Sequence, residues 1–100
     1  MSVVSCFLWE RLERELANAK AEVDTGRLAV LRLVEAARVA HERLHGPVTK
    51  DKDARAVVIL VCEARETAAV AFEAAGRSDL AEIERTDAAL VAALLGVSRD

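Results

Sequence analysis

Aromatic side chains are scarce in this chain: Phe7, Trp9 and Phe72 are all there are, and tyrosine is absent. Three rings cannot form the row of stacking platforms that single-stranded nucleic acid uses. Glycine occurs four times, each time alone, which excludes a glycine-rich phosphate loop. Cys6 and Cys62 are the only cysteines, too few for a disulfide framework. Cys62 lies in an apolar run, and both are read as reduced and structural. No apolar stretch reaches the ~20 residues that span a bilayer. The opening Met1-Ser2-Val3-Val4-Ser5-Cys6-Phe7-Leu8-Trp9 lacks the basic segment of a signal peptide, so no membrane association and a cytoplasmic location are expected.

Period-two alternation is also missing. The Val/Ile run at residues 56–61 would be an isolated strand with nothing to pair with. Its length and flanks fit a buried helix segment instead. About a fifth of the 100 residues are alanine, so the core is expected to rest on close helix–helix contacts. One hundred residues make a single domain with one modest core, without room for a deep catalytic cavity.

Helical periodicity is what the chain does have. Leu8, Leu12, Leu16, Ala19 and Val23 recur at three- and four-residue steps and predict a helix over 5–23. Asp24-Thr25-Gly26 then breaks the pattern, with Gly26 suited to a helix stop and Asp24 or Thr25 to a cap. A second helix over 25–45 carries Leu28, Leu31, Val34, Ala37, His41 and Leu44 inward and ends at Gly46-Pro47. A third, over 49–75, is capped by Thr49 and stopped by Gly76, with Val57, Leu60 or Val61, Ala64, Ala68, Ala71 or Phe72, and Ala75 on its apolar face. Asp79-Leu80-Ala81-Glu82 has capping-box spacing and opens a fourth helix over 79–95, which Gly96 ends before a frayed Ser98-Arg99-Asp100 tail. The short connections make sequential helices neighbours. The expected fold is all-α, a compact four-helix bundle over 1–100.

Net charge is −3, but unevenly spread. Residues 27–55 hold seven basic and four acidic side chains, a balance of +3, whereas residues 56–98 carry −4. The basic middle points to an anionic partner and makes Arg38, Arg43, Lys50, Lys52 and Arg55 candidate phosphate contacts.

One catalytic string is present: His41-Glu42-Arg43-Leu44-His45 matches the H-E-x-x-H of zinc hydrolases, in which two His share a helix face and the Glu is general base. It sits in the last turn before Gly46-Pro47, and a third ligand would have to come from Glu63 or Glu66. The plainer reading is a terminal turn whose His complement the helix dipole. No catalytic residue, metal site or cofactor is therefore assigned, and His41 and His45 stand as a remote metal alternative.

Two segments resemble the YqeY family. Gly26-Arg27-Leu28-Ala29-Val30-Leu31-Arg32-Leu33 looks like its RLxxLRL helix. Ala71-Phe72-Glu73-Ala74-Ala75-Gly76-Arg77-Ser78-Asp79-Leu80-Ala81-Glu82 looks like its FExAGRxDLAExE turn, in which stop, turn and cap are specified together. Leu8, Leu12 and Leu16 before Lys20 fit the family's opening, and the resemblance covers about residues 8–95. It implies an all-α fold, the tail domain of the GatB amidotransferase subunit as a relative, and a contact with tRNA. It also implies a further helical subdomain, so this sequence reads as the N-terminal one alone. The family's third helix is rich in Lys and Arg; here Val61-Cys62-Glu63-Ala64-Arg65-Glu66-Thr67-Ala68 keeps mainly Arg65. The expected function is a non-catalytic helical module that binds a protein partner or forms a homodimer, with tRNA association as the alternative. Phe7, Trp9, Leu90, Val91 and Leu94 are the candidate interaction surface, although Trp9 also reads as a partial core plug.

Overall fold

A computed structural model describes residues 6–98. Four helices follow one another: α1 (Phe7–Ala21), α2 (Thr25–His45), α3 (Asp51–Ala74) and α4 (Ser78–Leu95). No strand occurs among the described residues. None of the helices is long and apolar enough to cross a membrane. The all-α four-helix architecture is the one the periodicity predicts. The expected start of the first helix at Ser5, and Arg99 and Asp100 of the expected tail, lie outside the described residues.

The helix ends show where local chemistry differs from expectation. Asp24 caps α2 by accepting the Arg27 N–H at 3.0 Å. The stop before it, however, is Val23 (φ 52°), not Gly26, which lies inside α2. The Asp24 N–H reaches the Ala19 carbonyl at 2.9 Å and the Val23 N–H that of Lys20 at 3.2 Å. This is the bonding pattern that usually takes a left-handed glycine. Gly76 (φ 76°) does take that role after α3, with Arg77 N–H on Phe72 O at 2.8 Å.

Thr49 does not cap α3: the capping position is Lys50, whose side chain makes no cap bond, and Asp51 and Asp53 meet the helix dipole in the first turn. Nor does Asp79 form a capping box, because α4 begins one residue earlier, at Ser78, with Arg77 at the cap. Asp79 pairs with Arg77 at 3.1 Å instead.

The core is one cluster. It joins Trp9, Leu12, Leu16 and Ala19 of α1 to Val30, Leu31 and Val34 of α2, Ala54, Val57, Val58, Val61 and Cys62 of α3, and Ala88, Val91 and Leu95 of α4. Val61 rather than Leu60 turns inward; Leu60 is 60% exposed. Burying each Val or Leu contributes about 1.5–3 kcal/mol, and this is what fixes the helices in register.

The cluster stops at Cys62 on α3 and resumes at Ala88 on α4. Between them the two helices run on as a hairpin with its own seam, where Ala69 and Ala81 are fully buried. Arg65 bridges that seam to Glu84 at 3.3 Å. The molecule is accordingly elongated, 56 × 32 × 25 Å. It is a four-helix body with a two-helix arm.

Candidate interaction surfaces

At the body end, the α2–α3 turn is clamped from both sides. Glu42 accepts the Val48 N–H at 2.7 Å, and Trp9 Nε1 donates to the Val48 carbonyl at 3.1 Å. Arg38 lies over the Trp9 ring, 4.9 Å from its centroid, and reaches Glu42 at 3.3 Å and Glu13 at 3.7 Å. Asp51, from the first turn of α3, accepts the Leu8 N–H at 2.8 Å and the Cys6 thiol at 3.3 Å. It thereby caps α1, whose own capping residue, Cys6, supplies no side-chain bond. Burial first, and then the Asp51 carboxylate, push the Cys6 thiol above its ordinary range. Both cysteines are buried thiols outside any disulfide, and Cys62 Sγ donates to the Ala88 carbonyl at 3.6 Å.

This geometry sorts the H-E-x-x-H string. Glu42 is engaged in holding the turn, where a general base would need an open carboxylate. The His41 and His45 rings lie tilted at 45° to each other with centroids 4.6 Å apart. No three His, Cys, Asp or Glu side chains gather into a metal-binding group among the described residues, so Glu63 and Glu66 do not complete a site with them. Both lie beside Thr67 and Val70 on the arm.

The five candidate phosphate contacts divide. Arg38 is enclosed by Trp9, Glu42 and Glu13. Arg55 donates to the Ser98 carbonyl. Arg43, Lys50 and Lys52 are exposed and make no ion pair among the described residues. They flank the α2–α3 turn.

The candidate apolar surface needs correction. Trp9 is only 3% exposed and Val91 is fully buried, so both belong to the core and cannot meet a partner. Leu90 and Leu94 are half-buried against the same core, and the Leu94 carbonyl takes a 2.8 Å bond from Arg11 Nε. Only Phe7, at 71% exposure, is open. The α1 and α4 stripes meet each other's neighbours inside the body, and this is why they are covered.

Open apolar surface lies elsewhere. On α2 the exposed positions Ala29, Leu33, Ala36, Ala40 and Leu44 follow one another at helical steps, forming a second stripe turned away from Val30, Leu31 and Val34. Leu44, expected inside, is 80% exposed. On α3 the exposed set is Leu60, Ala64, Thr67, Ala71 and Ala74, with Val70 beside it; on α4 Ile83 stands among Asp79, Glu82, Thr86 and Asp87. The signal was in the sequence: these helices carry apolar residues at two angular positions, one more than a simple surface helix needs.

Charge separates these faces. In the arm every cation has an acid of the same hairpin: Arg65 with Glu84, Arg77 with Asp79, and Arg85 with Glu73. The pairing with Arg85 holds the Glu73 carboxyl below its usual range, and Arg77 does the same for Asp79. Glu63, Glu82 and Asp87 make no ion pair among the described residues, so the arm is an acidic surface. On α2, Arg32 and Arg43 lie beside the apolar stripe, again without a paired acid among the described residues.

A four-helix body with a helical arm, and no assembled catalytic group among the described residues, defines a helical domain whose open features are surfaces. Compared with known families, residues 9–96 match the family described as Yqey-like protein, and the chain belongs to that family. No curated protein and no solved structure matched the chain.

Proposed function

We propose that this chain is a non-catalytic helical interaction module that binds protein through the outer faces of its helices. The observation that carries the reading is the arm: its three cations are each neutralised from within, while Leu60, Val70 and Ile83 stay open at 60%, 62% and 54%. A phosphate-binding surface keeps its cations free. A protein-docking surface instead sets exposed apolar side chains in a polar rim. The second reading, association with tRNA, is supported by the unpaired Arg43, Lys50 and Lys52 about the α2–α3 turn and by the tRNA contact that the sequence resemblance implies.

The experiment is capture from host lysate on the immobilised chain, scored for protein and for tRNA, with two variants. The first reading expects a protein whose capture is lost with Val70→Glu and Ile83→Glu and kept with Lys50→Glu and Lys52→Glu. The second expects the reverse, with tRNA retained at low salt and released as salt rises. Capture of neither defeats both.

A further inference from the structure

The α2 stripe and the α3 stripe fit each other in spacing and in charge, and both are exposed, so neither covers the other within one molecule. We propose that a second copy of this chain docks its α3 antiparallel against α2, and its α2 against α3, to form a two-fold dimer. This rests on the reading of the chain as an interaction module and names the partner.

Three features carry it. First, the steps match. Ala29-Leu33-Ala36-Ala40-Leu44 advances by four, three, four and four residues, and Leu60-Ala64-Thr67-Ala71-Ala74 by four, three, four and three. Each is a seam of about four turns. Second, the sizes interlock. Each stripe has small residues at its middle, which lets helix axes approach to about 8 Å. In the antiparallel register Leu44 meets Leu60 at one end, and Leu33 meets Ala71 beside Val70 at the other.

Third, the charges complement. Arg32 and Arg43 each directly precede a stripe residue of α2, Leu33 and Leu44; Glu63 and Glu73 directly precede Ala64 and Ala74 of α3. Of these, Arg43 and Glu63 lie at the same angular offset, about 60° to one side of their seams. Antiparallel helices bring like offsets together, so Arg43 falls beside Glu63 of the other copy. In a two-fold dimer a residue that meets a second residue of the other copy is met in turn by it, so each contact occurs twice.

The test uses the purified full chain in sedimentation velocity and light scattering across a concentration series. Wild type is expected to pass from monomer to dimer as concentration rises. Arg43→Glu alone and Glu63→Arg alone each place like charges at both contacts, and each is expected to weaken the dimer by about tenfold or more. In a dimer of one variant with the other, the two introduced charges face each other as an opposite pair at one contact. Native Arg43 and native Glu63 face each other at the second, so the mixture is expected to regain wild-type affinity. Both positions are exposed, and circular dichroism checks that helix content is kept. A wild type that stays monomeric at every concentration overturns the proposal, and so does a dimer that both single variants leave untouched or a mixture that fails to recover. Since no lysate component takes part, a monomeric result leaves capture of another protein standing, whereas failed capture with an intact dimer defeats only the wider reading.

Discussion

Trp9 and Val48 are joined by a buried hydrogen bond, indole Nε1 to main-chain carbonyl at 3.1 Å, across a gap of 39 residues. Glu42 holds the N–H of the same valine at 2.7 Å. Both polar groups of Val48 are thus used, and the α2–α3 turn is pinned between α1 and α2. Trp9→Phe keeps a ring in the core but leaves the Val48 carbonyl buried without its donor. That costs about 1–3 kcal/mol, read as a lower urea midpoint with an unchanged slope. The smaller ring adds a cavity, so no gain offsets the loss.

Asp51 links α3 to the start of α1 through Leu8 N–H and the Cys6 thiol. Asp51→Ala removes a cap, with an expected loss of about 0.5–2 kcal/mol. It should also move Cys6. Burial is the largest cause of the raised thiol pKa and Asp51 a further one, so the variant titrates lower than wild type. The pH profile of thiol alkylation in a Cys62→Ala background reads that shift. A profile unmoved by the substitution would mean that burial alone sets the thiol.

The four helices were legible because a stripe of buried residues repeats along each, and Leu12, Leu31, Val57 and Leu95 would sit inside any packing of them. What periodicity could not settle is which of two stripes turns inward. Leu44 and Leu60 fit one arc as well as Val30 and Val61 fit another, and only the neighbouring helix decides. The interaction surface differs from expectation for the same reason. The apolar character of Trp9 and Val91 suits a docking face as well as a core, and what packs over them decides between the two. Caps differ where long-range partners replace local ones. Asp51 caps α1 from another helix, a link that no window of sequence contains.

The arm should respond to acid through Glu73 and Asp79. Both carboxyls are held below their usual range, by Arg85 and Arg77 respectively, and both are solvent-exposed. A carboxyl whose folded pKa is depressed adds stability above its unfolded value and loses it as pH falls through the folded value. The contribution is therefore fully present at neutral pH, and its loss is confined to the acid limb, below the ordinary carboxylate range. Carboxyl-resolved NMR titration should show Arg85→Gln raising the Glu73 midpoint while Asp79, held by Arg77, stays put. Movement of both together would show that the two pairs are coupled through the hairpin turn.

Val23 (φ 52°), Gly76 (φ 76°) and Gly96 (φ 65°) are three of the four positive-φ residues at helix ends among the described residues. They should respond to substitution in a fixed order. A β-branched side chain is costly there, by about 1–2 kcal/mol. Val23 is 81% exposed, so little packing is lost with it. Val23→Gly should raise stability by about 0.5–1 kcal/mol after the greater freedom of glycine in the unfolded chain is subtracted. Gly76→Ala meets no atom within 4 Å and carries the backbone cost alone. Gly96→Ala carries the same cost and more, because its new Cβ would lie 2.6 Å from Arg11 Nη1. Arg11 would swing away and give up the 2.8 Å bond from its Nε to the Leu94 carbonyl, which leaves the last turn of α4 without that donor. Thermal midpoints should therefore rank Val23→Gly above wild type, then Gly76→Ala, then Gly96→Ala. Equal midpoints for the two alanine variants would mean that the Arg11–Leu94 bond adds nothing to the closure of α1 on α4.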